Sequence, residues 1–218
     1  MNDDYSQENE QHTVSNGVEE LVQALIHNGT LRTQSIIDAF RAVDREDFVP
    51  EESKSSSHYD HPIHIGHQQT ISQPTTVAFM LELLSPESGE KVLDIGSGSG
   101  WTSALLGNIV GPEGSVLGQE RVEELVQFGK DNIAKYHLEH VQIEKAGTAL
   151  GSPKNGPFDK ILVSAAARNL PNGLLSQVRE GGIIVLPVRN AIWKVTRVEH
   201  QPVIEKYDGF IFVPLIEG

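Results

Sequence analysis

The chain has 218 residues, 17 Lys and Arg against 30 Asp and Glu, a formal net charge of −13 and no cysteine. That length suits one α/β domain with a modest addition, the acidic balance argues against a nucleic-acid partner, and disulfides and thiolate metal sites are excluded. No run reaches the roughly 18 apolar residues of a membrane span, and Met1-Asn2-Asp3-Asp4-Tyr5 lacks the basic start of a signal peptide, so a monomeric cytoplasmic protein is expected.

Residues 1–16 are polar and acidic and read as a disordered tail. Val18, Leu21, Val22 and Leu25 then recur at helical spacing until Asn28-Gly29. Thr33 is placed to cap a second helix through Ile36, Ile37, Phe40 and Val43, and the serine-rich stretch 51–57 reads as loop. Pro74 opens a third helix whose buried stripe is Val77, Met80, Leu81 and Leu84. From Lys91 short apolar runs alternate with helical ones, the pattern of a parallel sheet covered on both faces. Strands are predicted at 91–95, 115–119, 141–144, 160–164, 182–187, 193–198 and 209–213, and helices at 101–109, 122–136 and 172–178. The expected fold is a doubly wound, Rossmann-like, seven-stranded, mostly parallel α/β sheet with an N-terminal helical addition.

The stretch Val92-Leu93-Asp94-Ile95-Gly96-Ser97-Gly98-Ser99-Gly100-Trp101 is a strand ending at a loop with little side-chain bulk. Gly96, Gly98 and Gly100 can take positive φ and admit a ligand close to the backbone, and the helix that follows offers unpaired N–H groups. The next strand runs to Glu120, an acidic residue suited to ribose hydroxyls. Trp101 stands where a dinucleotide fingerprint needs its third glycine, and the Gly-Lys-Ser/Thr end of a phosphate loop is missing. A nucleoside cofactor other than a dinucleotide or a nucleoside triphosphate is therefore expected. The Asp-x-Gly-x-Gly-x-Gly pattern resembles the first motif of class I S-adenosylmethionine-dependent methyltransferases.

Segments outside this loop resemble a narrower family. Val43-Asp44-Arg45-Glu46-Asp47-Phe48-Val49-Pro50 is similar to a segment of the protein-L-isoaspartate (D-aspartate) O-methyltransferases. So are Tyr59-Asp60 with Pro62, Ile65-Gly66 and Gln69-Thr70-Ile71-Ser72-Gln73-Pro74, and Pro157-Phe158-Asp159-Lys160-Ile161 with Ala165-Ala166-Ala167. Leu175, Gln177, Gly181-Gly182, Leu186-Pro187-Val188 and Phe212-Val213-Pro214-Leu215 continue the family's order over residues 17–216. The resemblance implies an enzyme that binds S-adenosylmethionine and methylates the free carboxylate of isoaspartyl residues in damaged proteins or peptides. It divides the chain into the tail, an N-terminal helical region with the active-site signature (17–74) and a cofactor-binding methyltransferase domain (75–218). It implies Asp94, Gly96, Ser97, Gly98, Gly100, Glu120, Gly147 and Thr148 as cofactor residues. Ser72 and Thr70 become the active-site hydroxyls, and Ile71, His67, Ala166 and Arg168 the acceptor-binding residues. A carboxylate with a reference pKa of about 4 is already ionised at neutral pH and needs no general base. Positioning and exclusion of water then supply the acceleration, so hydroxyls suffice. Ser72 also reads as a helix N-cap before Pro74, a role compatible with the other.

The chain departs from the family pattern in three places. Ala146-Gly147-Thr148 stands where the family usually has Gly-Asp-Gly, so the acidic residue near adenine is missing. Arg168 replaces a common proline, and Arg189-Asn190-Ala191-Ile192 replaces a glycine-rich stretch. These changes leave open a different acceptor, or a module that binds the cofactor without turning it over. His58, His61, His64 and His67 recur at every third residue, but Pro62 and Gly66 break any helix that would align them, and no metal site is expected.

Overall fold

The computed structural model describes residues 16–199 and 201–215. The acidic tail to residue 15 lies outside the described residues, and Asn16 already belongs to the first helix. The elements in chain order are α1 (Asn16–His27), α2 (Gln34–Ala42), 3-10 turns at Arg45–Phe48 and Glu51–Ser56, β1 (Ile63–Gly66), β2 (Gln69–Ile71) and α3 (Pro74–Leu84). Then follow β3 (Lys91–Ile95), α4 (Trp101–Val110), β4 (Ser115–Glu120), α5 (Glu123–Ala134), β5 (Val141–Lys145), β6 (Phe158–Val163), α6 (Asn172–Leu175), β7 (Val178–Val188), β8 (Ala191–Thr196) and β9 (Val203–Asp208).

The main sheet has seven strands in the order β5-β4-β3-β6-β7-β8-β9, parallel as far as β7 and closed by two antiparallel pairs. Strand order reverses between β3 and β6, and the crevice outside the carboxyl ends of these strands is where such sheets bind ligands. Alternation along each strand divides the core between two faces. Val92, Val116, Val141, Leu162 and Val185 pack with α1 to α5, whereas Leu93, Ile161, Val163, Ile184 and Leu186 pack with Leu174 and the irregular segments around Leu150, Leu170 and Leu215. Helices therefore cover one face fully, while the other carries only the four-residue α6 and loops. No described helix is long and apolar enough to cross a membrane.

The N-terminal addition shares the first core. Trp101 is buried against Phe40 (centroids 5.4 Å apart, edge to face), and Phe48 stacks on Tyr136 at 5.5 Å. The bulky residue in the fingerprint thus plugs the addition onto the helix that follows the glycine loop. Thr33 does occupy the N-cap of α2, but its hydroxyl makes no cap; it donates to Glu82 Oε2 on α3 at 2.8 Å.

Several elements differ from the sequence reading. The helix predicted at 172–178 is one turn, because Val178 already pairs with Phe158 as the start of β7. The last strand is 203–208, not 209–213. It is an edge strand exposed along most of its length, so it carries no apolar alternation, while the continuous apolar run 210–213 follows the point where the chain leaves the sheet at Gly209 (φ 99°). The β1–β2 hairpin was not foreseen; His67 and Gln68 form its two-residue turn with φ of 51° and 59°, values usually supplied by Asn or Gly. Residues 51–56 form a 3-10 turn where loop was expected.

Candidate active site

Three adjoining cavities open at the carboxyl ends of β3, β4 and β6. The innermost, about 60 Å³, is lined by the glycine loop, Thr70, Ile71, Ser72, Trp101, Glu120 and Ser164. A cavity of about 250 Å³ continues from it past Gly96, Glu120 and Ala165 to Gly147, Thr148 and Leu150. The third, about 300 Å³, shares Thr70, Ser72 and Ser164 with the innermost and leads to Pro62, Thr76 and Ile211. Val213 lines all three. The arrangement is one cleft with a small waist. A larger cavity, about 510 Å³, lies between α5 and the edge strand β5, away from the glycine loop.

The glycine loop is held by its neighbours rather than by its own side chains. Gly96 and Ser97 donate backbone N–H bonds to Gln119 O (2.8 and 3.1 Å), and Asn132 Nδ2 donates to Ser99 O at 3.0 Å. Gly100 has a φ of 93°, and a Cβ there would lie 3.0 Å from Ile143 Cδ1 and 3.2 Å from Gly129 O, so the loop closes directly on α5. Glu120 is buried; Oε2 accepts from Gly98 N (3.0 Å) and Oε1 from Arg121 N and Val122 N (2.7 and 2.9 Å). Its carboxylate therefore ties the loop to the start of α5.

Asp94 is fully buried, and burial pushes its carboxyl up to about 6. Hydrogen bonds from Ser103 Oγ and Thr102 Oγ1, each 2.7 Å, work against that rise, and the nearby Glu120 adds to it. Both bonds go to Oδ2. Asp94 Oδ1 and Ser97 Oγ are buried without partners, and unsatisfied polar atoms of this kind call for a donor or a ligand. Two carboxylates, two orphaned oxygens and a bare glycine backbone suit a cationic nucleoside derivative bearing an amino-acid part.

At the other end Ser72 sits between β2 and α3. Asp60, not Ser72, caps α3: Oδ1 accepts from Thr75 N (2.8 Å), and Oδ2 from Thr75 Oγ1 (2.7 Å) and Gln73 Nε2 (3.0 Å). The serine hydroxyl is thereby spared that task. The backbone of Ser72 is fixed by Arg45, 1% exposed, whose Nη2 donates to Ser72 O (3.1 Å) and His61 O (3.0 Å) while Nη1 donates to Ser57 O (2.7 Å). The same guanidinium lies 5.3 Å from the centroid of the Trp101 ring. One buried cation thus couples the Ser72 segment to the helix behind the glycine loop. In the sequence Arg45 and Asp60 stand only as parts of longer motifs; their use of backbone carbonyls and a helix N-terminus is set by the fold.

Residues 16–218 match the family model described as protein-L-isoaspartate(D-aspartate) O-methyltransferase. The chain belongs to that family. It is 38% identical over 203 residues to the protein-L-isoaspartate O-methyltransferase of Ignicoccus hospitalis, covering 91% of this chain and 96% of that one. It is also 38% identical over 204 residues to the Methanopyrus kandleri protein of the same name, with 91% and 90% covered. A crystal structure described as a Plasmodium falciparum protein-L-isoaspartate O-methyltransferase in complex with S-adenosyl-L-homocysteine superposes with a TM-score of 0.82 at 25% identity. It covers 94% of this chain and 100% of the other.

Within this isoaspartate methyltransferase family frame, Thr70, Ile71, Ser72, Gly96, Ser97, Gly98, Glu120, Gly147 and Thr148 line the cleft together. Asp94 and Gly100 stand behind it, fully buried or packed against α5. Three residues with an implied acceptor role do not line it. His67 is at the exposed hairpin tip, where Gln68 and Gln69 reach the cleft instead. Ala166 is taken up in a bridge to Pro214, with Ala165 lining the cavity in its place. Arg168 follows that bridge and is exposed, its carbonyl accepting from Arg189 Nε at 3.2 Å. Ser164, Ala165 and Val213 also line it and were not foreseen. Gln177, quoted in the family motif, pins the far wall: Oε1 accepts from Ser152 N (2.7 Å) and Nε2 donates to Leu150 O (2.9 Å). Of the histidine series, His58 pairs with Asp44 at 2.7 Å, and among the described residues no group of three or more acidic or histidine side chains could hold a metal.

Proposed function

We propose that the protein transfers the methyl group of S-adenosylmethionine to the free carboxylate of L-isoaspartyl residues in damaged proteins or peptides, the step that starts their repair. The observation that carries this reading is the continuity of the cleft. A carboxylate-bearing, glycine-walled end meets an uncharged, hydroxyl-bearing end at a waist that both share. Bound at the first end, the cofactor supplies an electrophilic methyl on a cationic sulfur. Gly96, Ser97 and Gly98 would approach its methionyl part, with Gly100 behind them holding the loop on α5; Glu120 and, from behind the loop, Asp94 would supply negative charge for its cationic groups and ribose hydroxyls; and Gly147 and Thr148 would flank its base.

Ser72 and Thr70 hold the acceptor carboxylate by donated hydrogen bonds, leaving a lone pair free to attack. The new bond is oxygen to carbon, the broken one carbon to sulfur, and both formal charges vanish. No proton has to move, which is why a cleft without a general base suffices. Narrowness at the waist keeps water out and strengthens the oriented hydroxyls. A second reading of Ser72, as mere helix cap, is disfavoured because Asp60 fills that role.

The net charge of −13 supports peptide rather than nucleic-acid acceptors. The test is methyl transfer from labelled S-adenosylmethionine to two peptides differing only in isoaspartate or aspartate. Labelling of the isoaspartyl peptide alone, followed by methanol release, is expected. Labelling of neither, with cofactor binding intact by calorimetry, would point to another acceptor.

A further inference from the structure

The most exposed large apolar side chain of the described residues stands at the acceptor mouth. Ile211 is 93% exposed, yet it lines the cavity that contains Thr70, Ser72 and Ser164. Its neighbours show that this is not a loose end. Phe210 stacks on Phe79 at 5.3 Å, and Tyr207 meets the same ring edge-on at 5.3 Å. Gly209 N and Phe210 N both donate to Asn190 O (3.0 and 3.1 Å). Beyond Ile211, Phe212 packs against the main core, and Val213 O accepts from Ala166 N at 2.8 Å. The segment is anchored on both sides, and between the half-buried Phe210 and Phe212 the Ile211 side chain is turned outward.

A fixed, exposed isoleucine is costly to hydrate and gains when an apolar group covers it. The cavity it lines contains no charged side chain, and Pro62 forms part of its rim. A charged side chain brought here would lose hydration and find no counter-charge, whereas an aliphatic one would exchange water for Ile211 and Pro62.

We infer that Ile211 is a specificity-determining residue that selects isoaspartyl acceptors with an aliphatic side chain next to the damaged site. The inference rests on the isoaspartyl reading above. Fixing the neighbouring side chain on a rigid apolar surface also orients the reacting carboxylate toward Ser72, so discrimination appears in kcat/KM.

The test uses the full chain, labelled S-adenosylmethionine and three isoaspartyl peptides whose two neighbours are both leucine, both glycine or both glutamate. The native protein is expected to favour the leucine peptide over the glycine peptide by about tenfold and the glutamate peptide least, in line with one apolar side chain in a pocket. Ile211→Ala removes most of the leucine advantage while the rate on the glycine peptide stays within about twofold, and Ile211→Glu inverts the leucine-to-glycine order. Cofactor affinity and melting temperature stay unchanged, since the side chain is exposed. Equal rates on all three peptides, or an Ile211→Ala protein that keeps the preference, would overturn the inference and leave the isoaspartyl reading standing. Methylation of none of them would overturn both. A concentration-dependent dimer in sedimentation, dissociated by Ile211→Glu, would show that a second copy covers this residue instead and would likewise overturn it.

Discussion

At the cofactor end, the residues that shape the cleft lie mainly between positions 94 and 120 and are ordered by bonds within that one strand–loop–helix–strand stretch: Gly98 to Glu120, Gly96 to Gln119, Asp94 to Thr102 and Ser103. At the acceptor end they come from residues 62–76, 164 and 211–213, which meet only in the folded chain. The first end is a strand–loop–helix unit whose shape follows from glycine and register. The second is held by remote anchors, notably Arg45, Asp60 and the bridge between Ala166 and Pro214. The difference suits the chemistry: a constant ligand can be met by a rigid local motif, while the acceptor end can vary with the segments that compose it. It also means that damage at either end should leave a different kinetic trace.

The largest effect is expected from Gly100→Ala at the cofactor end. With φ at 93° and Ile143 and Gly129 at contact distance, the methyl group forces the loop off α5. A loss of about 2–3 kcal/mol in urea unfolding is expected, together with loss of cofactor binding in calorimetry. A stable variant that still binds would mean that the loop is looser than its contacts imply.

Arg45→Met tests the anchoring of the other end. Burial pulls the guanidinium down to about 10, so it stays charged at neutral pH. Without it the carbonyls of Ser57, His61 and Ser72 lose their donor. Stability should fall, and in the folded fraction kcat should drop by about tenfold to a hundredfold, the scale of a displaced reacting group. Cofactor Kd should stay within about threefold, and Arg45→Lys should recover part of the rate. A rise in cofactor Kd with normal kcat would remove Arg45 from the acceptor end.

The pH profile of cofactor binding separates the ends in another way. Because burial holds Asp94 near 6, above its unfolded value of 3.8, its ionisation costs stability as pH rises from 3.8 to 6. A cationic ligand favours the ionised form, so cofactor affinity should fall as pH drops below about 6, by at most about tenfold per unit. Asp94→Asn should flatten both profiles. Kd values that stay constant from pH 7 to 5 would show that Asp94 does not face the cofactor's charge.

The smallest effect is expected from Gly147→Asp. A Cβ at Gly147 meets nothing within 4 Å, and the change restores the acidic residue of the family's Gly-Asp-Gly pattern. One hydrogen bond to the base would tighten cofactor binding about twofold to tenfold. No gain would mean that Thr148 or the backbone already satisfies the base.

This division also explains what the amino-acid order made legible. The strand before Gly96, the glycine loop and Glu120 are local features, so their element type and chemistry could be read directly. So could the exclusion of a dinucleotide by Trp101, although its packing on Phe40 and Arg45 could not. The β1–β2 hairpin was hidden because its turn uses His67 and Gln68 at positive φ. β9 was hidden because an exposed edge strand needs no apolar face, while 210–213 is a continuous apolar run for another reason, with Phe210 and Phe212 anchoring it and Ile211 turned outward. Ser164 and Val213 reach the cleft only through tertiary contacts. Arg168 looked apt for a carboxylate, but the bridge just before it leaves it outside.

The most direct test of two chemically distinct ends sharing one cleft is to measure cofactor Kd and kcat on an isoaspartyl peptide for Ser72→Ala and Glu120→Gln side by side. Ser72→Ala is expected to lower kcat by about tenfold to a thousandfold, as for loss of one positioned hydrogen bond, with Kd nearly unchanged. Glu120→Gln should weaken cofactor binding first and leave kcat at saturating cofactor close to normal. If Ser72→Ala instead raises Kd without touching kcat, or if both variants move the two constants together, the division of the cleft into a cofactor end and an acceptor end is wrong.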